Sequence, residues 1–505
     1  MSDLTFLPSR AEFFEHAKRG NVVAVYADVV ADSETPVSAF RKISEGGDSF
    51  LFESAEQNEE SGRFSFIGID PRVVLQSDGR TTLLCRDGLE ETWESSSDPL
   101  SELEKLMAQY RFVSPPELPR FAGGAVGFLG YDAVRFMEPT VPTPAHDALR
   151  LPDMIFTIMG TLLVFDHRFR RLKVVVNAFI GEGDPGTVFD EAQEQIRRVL
   201  EKLSTPAHLP FIDSRRTAAP RPTGSNFSSE QFERVVNEAK EYIVDGDAFQ
   251  IVLSQRFETE YVGDPLDLYR CLRLVNPSPY MFCLNFRGKF SLVGSSPEMH
   301  VRVTNDVVQI RPIAGTRPRG KTPEEDDANA AELLADPKEC AEHVMLIDLA
   351  RNDVGRIAEI GSVRVTEQMG IERYSHVMHI VSHVTALLRA DKTAFDVLRA
   401  TFPAGTVSGA PKVRAMQIIS ELEATKRGCY AGAVGYFGFD GALDCCIALR
   451  SVVLKDGRAY VQAGAGIVAD SVAAAEYRET VNKARAVIEA IGRAADLSSN
   501  AADHR

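Results

Sequence analysis

In residues 1–202, the hydrophobic and polar positions follow the short period of β-strands. Arg72-Val-Val-Leu and Arg171-Leu-Lys-Val-Val-Val are rich in the β-branched residues that strands favour. The longest apolar run, Met154 to Phe165, is far shorter than the roughly 20 residues that a membrane-spanning helix needs. It is interpreted as a buried strand, and this part of the chain is predicted to be rich in β-structure.

After residue 227 the pattern changes to long helices that alternate with strands. Ser228 and Gln231 have the spacing of a capping box, and apolar residues follow them at helical spacing. Strands such as Cys446 to Leu454 come later. Because no βαβ unit repeats, we predict an α+β fold with large, mostly antiparallel sheets flanked by helices. A chain of 505 residues allows one large composite domain or two lobes.

A change in composition separates these two parts of the chain. Residues 203–226 are rich in Pro, Ser, Thr and Arg, which is typical of a linker or surface crossing. The predicted organisation is an N-terminal region at 1–202, this linker, a larger region at 227–491 and a C-terminal tail at 492–505.

One internal similarity connects the two regions. The segments Gly124 to Asp132 and Gly432 to Asp440 agree at six of nine positions. Small residues re-used by chance in crowded strands would produce the same agreement. The similarity favours two equivalent strands in related sheets.

Composition and charge exclude several functions. A hydrophobic content of 44% with 25% charged residues is typical of a globular protein. The net charge of −16 argues against nucleic acid or an anionic membrane as the main partner. The seven cysteines include no C-x-x-C pair, and the N-terminus has no signal pattern, so we expect a cytoplasmic protein with reduced thiols.

The most distinctive segment runs from Thr406 to Met416, with the sequence TVSGAPKVRAM. Gly405 and Gly409 permit tight turns, and Pro411 occupies the place of a first helical residue. This pattern predicts a polar loop that leads into a helix N-terminus, where free N–H groups attract anions.

Two helical segments each carry glutamates three residues apart, Glu339 with Glu342 and Glu476 with Glu479. Such residues share a helix face, where like charges destabilise a helix by roughly 0.2–0.5 kcal/mol per pair. One pair alone is usually a solvated surface. Two pairs beside other unusual segments favour a site for Mg²⁺, which prefers hard oxygen ligands. Lys483 lies on the same face as Glu476.

Other candidates for chemistry have ordinary structural explanations as well. Glu298 follows a proline and is otherwise a loop charge, and His379 between apolar neighbours is more often a hydrogen-bonded core residue. Arg450 ends an apolar strand, where it either forms a structural ion pair or binds a carboxylate bidentately. Gly464-Ala-Gly466 fits a dinucleotide fingerprint, but no βαβ unit follows it, so we interpret it as a turn whose N–H groups approach a carboxylate.

Taken together, these segments resemble the chorismate-utilising enzymes, most closely the large subunits of anthranilate synthases. The resemblance is continuous from about Phe227 to Ile491. It implies Mg²⁺ as cofactor and chorismate as substrate. It assigns elimination chemistry to Glu298, His379 and Thr406, substrate binding to Gly315, Thr316, Tyr430, Arg450, Gly464, Ala465, Gly466 and Lys483, and metal binding to Glu342 and Glu479, with Glu339 and Glu476 in support.

Two positions distinguish the subfamilies. The water-using members have a lysine base where this chain has Gln250, and aminodeoxychorismate synthases have a nucleophilic lysine where it has Ala314. The resemblance therefore implies attack by ammonia. No cysteine lies in a Gly-x-Cys-x-Gly turn, so a separate glutamine amidotransferase subunit in a hetero-oligomer is implied. A relative that stops at aminodeoxyisochorismate and a non-catalytic regulatory relative remain alternatives.

A regulatory site is the last implication of the resemblance. Phe50-Leu-Phe-Glu-Ser54 resembles the inhibitor motif of the family, and Asn276 to Met281 matches its companion. L-tryptophan would then contact Glu53, Ser54, Pro279, Tyr280 and Met281, with the last three forming an apolar wall for the indole. The alternative is that Glu53 and Ser54 only end a strand.

Overall fold

The computed structural model describes residues 4–44, 47–55, 62–86, 88–181, 183–215, 217–218, 221, 223–374 and 377–502. The helices are α1 (Arg10–Ala17), α2 (Pro36–Ile43), α3 (Pro99–Met107), α4 (Val134–Met137), α5 (Pro185–Leu203), α6 (Ser229–Val244), α7 (Pro265–Val275), α8 (Pro323–Ala335), α9 (Pro337–Gly355), α10 (Ala394–Thr401), α11 (Lys412–Glu423) and α12 (Ala473–Ala502). Short 3₁₀ turns cover Tyr131–Ala133 and Gly405–Val407.

The strands form one hydrogen-bonded network. They are β1 (Val22–Val30), β2 (Ser49–Glu53), β3 (Phe64–Asp78), β4 (Thr81–Arg86), β5 (Leu89–Glu94), β6 (Phe112–Val113), β7 (Gly124–Leu129), β8 (Met154–Asp166), β9 (Arg171–Phe179), β10 (Gly224–Ser225), β11 (Gln250–Glu260), β12 (Tyr280–Phe286), β13 (Phe290–Ser296), β14 (Met299–Thr304), β15 (Val307–Ile310), β16 (Ile313–Pro318), β17 (Arg364–Arg373), β18 (Val377–Leu387), β19 (Gly409–Ala410), β20 (Ala433–Gly438), β21 (Leu443–Ile447), β22 (Ser451–Lys455) and β23 (Arg458–Ile467). Among the described pairings between these strands, only β1 with β6 is parallel.

The network divides into two sheets at the long strands β3 and β8, which belong to both. One sheet has the order β11, β23, β22, β13, β12, β2, β3, β8, β9, β1, β6, with β10 and β19 at the edge of β11. The other has the order β5, β4, β3, β8, β7, β20, β21, β14, β15, β18, β17, and β16 also pairs with β18.

Apolar side chains fill three layers. One cluster, which includes Phe282 and Phe128, lies between the two sheets. A second packs α1, α2, α5, α7 and α12 on the outer face of the first sheet. A third packs α3, α9 and α10 on the outer face of the second sheet. The predicted α+β fold with antiparallel sheets flanked by helices is confirmed.

The two predicted regions are joined through these sheets. β2 pairs with β12, and β7 pairs with β20, so strands from both sides of residues 203–226 are neighbours. These pairings do not show where one region ends and the next begins, so the domain boundaries stay a prediction. The last helix continues to Ala502, so residues 492–502 extend α12 instead of forming a separate tail.

Several local predictions are confirmed, and two are corrected. Met154 to Phe165 lies in the buried strand β8, and the Ser228 capping box begins α6. Cys446 to Leu454 is not one strand, because β21 and β22 are separated by residues 448–450. The similar glycine-rich segments are adjacent strands of one sheet, β7 and β20, instead of equivalent strands in two sheets.

Two further observations concern the cysteines and the helices. Every one of the seven cysteines has a free thiol. Among the residues that the structure covers, no helix is both long and apolar enough to cross a membrane.

Candidate active site

Glu298 lies in the connection between β13 and β14. Burial raises the pKa of its carboxyl to about 7, and the nearby Thr406 hydroxyl, Lys483 and Arg450 each oppose that rise. Because all three act on one carboxyl, the structure brings these sequence-distant candidates together. A carboxyl with a pKa near neutrality is suited to act as a general acid.

Thr406 sits in the 3₁₀ turn Gly405–Val407. Its Oγ1 atom is buried and has no hydrogen bond of normal geometry within the described ranges. The predicted run from loop to helix is interrupted, because Gly409 and Ala410 form β19 against β11. The helix then begins one residue later than expected, with Pro411 as its N-cap.

His379 lies on β18 with its ring partly buried. Its Nδ1 atom is 2.8 Å from the carbonyl oxygen of Gly315, which only accepts, so Nδ1 carries the proton in this arrangement. Burial lowers the pKa of His379, and Arg450 lowers it further. The ring is therefore neutral near pH 7, with the Nε2 lone pair free to accept a proton.

Gly315 and Thr316 form an irregular part of β16 opposite His379. Gly315 has a φ of 67°, and the register shifts between Ala314 and Thr316. A Cβ at Gly315 would lie 3.1 Å from Glu339 Oε2, so the glycine brings the backbone close to a predicted metal-site residue. A bulge of this kind turns backbone N–H and C=O groups toward a site instead of toward the neighbouring strand.

Arg450 occupies the break between β21 and β22, with a φ of 48°. Its Nη1 donates to Asn276 Oδ1 at 3.1 Å, and its pKa is lowered by burial, although Glu298 opposes this. No ion pair to Arg450 is found among the described residues. The structural ion pair considered from the sequence is therefore absent within that part of the chain. The guanidinium keeps N–H donors that can bind a ligand carboxylate.

Gly464, Ala465 and Gly466 lie inside β23, so the predicted turn is wrong. They pair with Ser254, Leu253 and Val252 of β11. On the opposite edge, β22 pairs with β23 only as far as Val461. Alternate N–H groups beyond that point are therefore not used by β22, which leaves them available to a ligand.

Tyr430 contacts this strand directly. A Cβ at Gly464 would lie 2.7 Å from the Tyr430 hydroxyl, so only glycine allows that approach. Burial raises the pKa of Tyr430 to about 12, and its hydroxyl therefore remains a hydrogen-bond donor. The structure thus places Tyr430 beside the glycine segment, as a ligand-binding role requires.

One glutamate pair lies on α9 and the other on α12, and the two pairs face each other. Burial raises the pKa values of Glu342 and Glu476, and Glu476 is among the charges that raise that of Glu342. Glu339 accepts from Arg317 at 3.1 Å, and Glu479 pairs with Lys483 at 2.7 Å. Burial and neighbouring carboxylates both disfavour the charged forms of Glu342 and Glu476, and a bound cation would offset this.

The glutamates do not converge tightly. In the described ranges, no group of three or more His, Cys, Asp or Glu side chains is close enough to hold a metal ion. The donor set suits Mg²⁺, which keeps several waters and uses few protein carboxylates. The fit therefore depends on oxygen ligands from water and substrate in addition to these side chains.

Sequence reasoning missed a buried ion pair beneath the site. Arg427 and Glu423 are almost fully buried and bond at 2.5 Å. Arg427 also donates to the carbonyl oxygens of Val407 and Val252, and Glu423 accepts from the Ser254 N–H. The pair thereby fixes the Thr406 turn and β11. The only local signal for this pair is a glutamate four residues before an arginine. The same spacing is common on exposed helices, so it does not identify a buried ion pair.

The proposed inhibitor segments meet as strand neighbours, with Glu53 opposite Met281 in the β2–β12 pair. Glu53 Oε2 accepts from Tyr269 at 2.5 Å and Arg273 at 3.3 Å. Tyr280 does not share a wall with Met281, because it points between the sheets and bonds Asp444 at 3.0 Å. Successive strand residues face opposite sides, so the single apolar wall predicted from the sequence is wrong.

Residues 47–489 match a family model described as chorismate binding enzyme. The chain belongs to this family. The match covers most of both sheets and every candidate site residue named above.

Two relatives of the same name are similar to this chain over most of its length. The chain is 46% identical to "Anthranilate synthase component 1" of Acetivibrio thermocellus over 97% of its length and 100% of the relative. It is 45% identical to the protein of the same name from Pseudomonas putida, with the same coverage. Both relatives are therefore similar over nearly the whole of this chain.

Solved structures agree with the fold. Anthranilate synthase component I from Streptococcus pneumoniae superposes with a TM-score of 0.75 at 39% identity, covering 91% of this chain and 99% of that one. The menaquinone-specific isochorismate synthase from Escherichia coli superposes with a TM-score of 0.71 at 16% identity, covering 95% of this chain and 98% of that one. The second likeness concerns the fold alone.

Proposed function

We propose that this chorismate-binding enzyme converts chorismate and ammonia into anthranilate, pyruvate and water. The observation that carries the proposal is the Glu298 carboxyl, whose pKa of about 7 lets it donate a proton beside Thr406, Lys483 and Arg450. The end-to-end similarity to anthranilate synthase relatives supports the same reaction.

Each carboxylate of the substrate has a suitable partner. Arg450 and Tyr430 bind the enolpyruvyl carboxylate, and the free edge of β23 with Lys483 binds the ring carboxylate. Glu342 and Glu479, supported by Glu339 and Glu476, would hold Mg²⁺. When bound, the metal neutralises negative charge at the ring carboxylate. Glu298 protonates the departing 4-hydroxyl, and the neutral His379 Nε2 assists the later proton transfer.

The choice of ammonia over water rests on two side chains. Gln250, at the start of β11, has its Nε2 atom 2.8 Å from where a Cβ of Gly466 would lie, so it borders the glycine segment. A glutamine amide cannot deprotonate water, and Ala314 has no nucleophilic atom. An amine that is already nucleophilic is then required, and a separate glutamine amidotransferase subunit is proposed as its source.

The isolated chain is expected to form fluorescent anthranilate from chorismate, Mg²⁺ and ammonium, but not from glutamine. At fixed total ammonium, the rate should rise with pH as long as Glu298 stays protonated, because more free ammonia is present. Chromatography of the products provides the decisive measurement. Isochorismate or accumulated aminodeoxyisochorismate in place of anthranilate would refute the proposed reaction, and glutamine-dependent product from the purified chain would refute the need for a partner.

We further propose that L-tryptophan inhibits the reaction through the β2–β12 pair. Asn276 begins the companion segment, and its side chain accepts from Arg450 and donates to Ser295 at 3.1 Å. A ligand that moves this segment would therefore move Arg450. By thermodynamic linkage, tryptophan and chorismate weaken each other's binding by one common factor.

Met281→Thr and Ser54→Ala are expected to lose tryptophan inhibition by about tenfold or more while retaining catalysis. Cys283→Ala is the matched control, because Cys283 is buried on the same strand face two residues away. It should lose stability but keep inhibition. Inhibition constants from initial rates decide the matter, and a wild-type rate that is insensitive to saturating tryptophan would contradict the regulatory proposal.

A further inference from the structure

A cavity of about 40 Å³ lies beside Glu298, on the side of α9. Its walls come from the start of β14, the β15–β16 connection, α9 and the Thr406 turn. Glu298 and Thr406 belong to this lining, so the cavity opens beside the proposed acid. The proposed function gives the cavity no role.

Two polar atoms of its lining are buried without a hydrogen-bond partner in the described structure, His300 Nδ1 and Arg311 Nε, and a third, Thr406 Oγ1, interacts with the Glu298 carboxyl. Buried polar groups are rarely left unpaired, because each costs about 1–3 kcal/mol. A buried donor and a buried acceptor at one cavity indicate an occupant that both accepts and donates hydrogen bonds.

His300 has a fixed protonation pattern. Its Nε2 is 3.2 Å from the Thr401 carbonyl oxygen, which only accepts, so Nε2 carries the proton and Nδ1 is a pure acceptor. The ring is 3% exposed and stacks on Phe402, and burial lowers its pKa to about 4. The register shift between Met299 and Val301 re-aims this residue, so that His300 lines the same cavity as Glu298.

The occupant is identified by its hydrogen bonds. Arg311 Nε–H only donates, the Thr406 hydroxyl can donate, and His300 Nδ1 only accepts. Water can donate to His300 Nδ1 and accept from Arg311 Nε–H while it bonds the Thr406 hydroxyl in either direction, whereas ammonia can do so only when that hydroxyl accepts. The cavity is large enough for ordered water and has polar groups in its lining.

We propose that this cavity is a water site that receives the hydroxyl eliminated from the substrate and connects Glu298 to its proton supply, with His300 Nδ1 as the fixed acceptor. This inference rests on the proposed function. As the ammonia lone pair forms the new C–N bond, the ring double bonds shift and the C4–O bond breaks. The proton of Glu298 joins the departing oxygen to give water. The added nitrogen releases its extra proton through water, which restores the Glu298 carboxyl.

A crystal structure of the chain tests the site without any assay. We expect an ordered water at about 2.6–3.2 Å from both His300 Nδ1 and Thr406 Oγ1. A cavity that is well resolved but dry would overturn the inference. This result is independent of the reaction, so a chain that makes no anthranilate would refute the proposed function and leave the water site to be judged from the crystal alone.

Two substitutions of His300 separate a water site from a structural role. His300→Gln keeps a donor at the Nε2 position for Thr401 and loses the acceptor in the cavity, whereas His300→Asn keeps that acceptor and loses the donor. We expect kcat to fall about tenfold for His300→Gln and no more than about threefold for His300→Asn, with unchanged KM for chorismate and ammonium. The reverse order would show that His300 acts only through Thr401. A raised ammonium KM for His300→Gln would identify an ammonia passage instead and overturn the water assignment.

Discussion

Glu298→Gln is expected to lower kcat by about 10²–10⁴-fold, because the amide cannot give a proton to the leaving hydroxyl. With saturating ammonia, the wild-type kcat should fall as the pH rises through about 7, where Glu298 loses its proton. Initial rates across pH 5.5–9 (roughly the range in which the protein is expected to remain folded) measure both effects. Glu238→Gln, an exposed position on α6, is the control and should leave the profile unchanged.

Glu298→Gln should also change the free energy of unfolding, by an amount that depends on pH. The folded state raises the Glu298 pKa from 4.5 to about 7, so ionisation opposes folding, and this loss of stability develops as the pH rises from the lower value to the higher. In metal-free buffer at pH 8, Glu298→Gln should therefore be more stable than wild type by at most about 3 kcal/mol. The gain should vanish near pH 4. Activity within tenfold of wild type, or a destabilised variant at pH 8, would contradict the assignment of Glu298.

Glu342→Gln and Glu479→Gln are expected to lower activity by more than about 100-fold at limiting Mg²⁺, because each removes an anionic oxygen ligand with little change in volume. Wild-type Tm should rise when Mg²⁺ binds the folded state, and each variant should lose that rise. Without metal, Glu342→Gln should match or exceed wild-type stability, because burial and Glu476 both oppose the charge on Glu342. Differential scanning calorimetry with and without Mg²⁺ gives these values.

The controls for the metal prediction remove carboxylates from the same helices. Asp348 on α9 is paired with Arg351 at the surface, and Glu489 on α12 is paired with Arg493. Asp348→Asn and Glu489→Gln should retain both the activity and the Mg²⁺-dependent rise in Tm. Unimpaired turnover by Glu342→Gln and Glu479→Gln at limiting Mg²⁺ would exclude them as ligands.

The strands and helices were largely predictable because their signals are local. A capping box, a run of β-branched residues and a glutamate pair on one helix face depend on residues only a few positions apart. The buried strand β8 and the start of α6 were accordingly found from the sequence. The identity of the subfamily positions Gln250 and Ala314 also needs no structure.

Long-range contacts decided what the sequence could not. The Gly464 segment was interpreted as a turn because glycines are common there, yet pairing with β11 holds it extended. Arg450 interrupts a continuous apolar run through a positive φ that its side-chain type does not favour. Both outcomes are set by strands far away in the chain, which a local pattern does not contain.

The sequence alone determined which side chains are available for chemistry, because carboxylates, a histidine and an arginine are chemical facts of the chain. Tertiary structure decided the pKa values and the hydrogen-bond partners of these side chains. Burial, which depends on the packing of α9 and α12 against the sheets, raises the pKa of Glu298 and lowers that of His379. Within the described part of the chain, it also leaves His300 Nδ1 without a partner in a cavity. Solvent exposure and the distance between charges are properties of the folded chain, so only the fold turns these residues into a site.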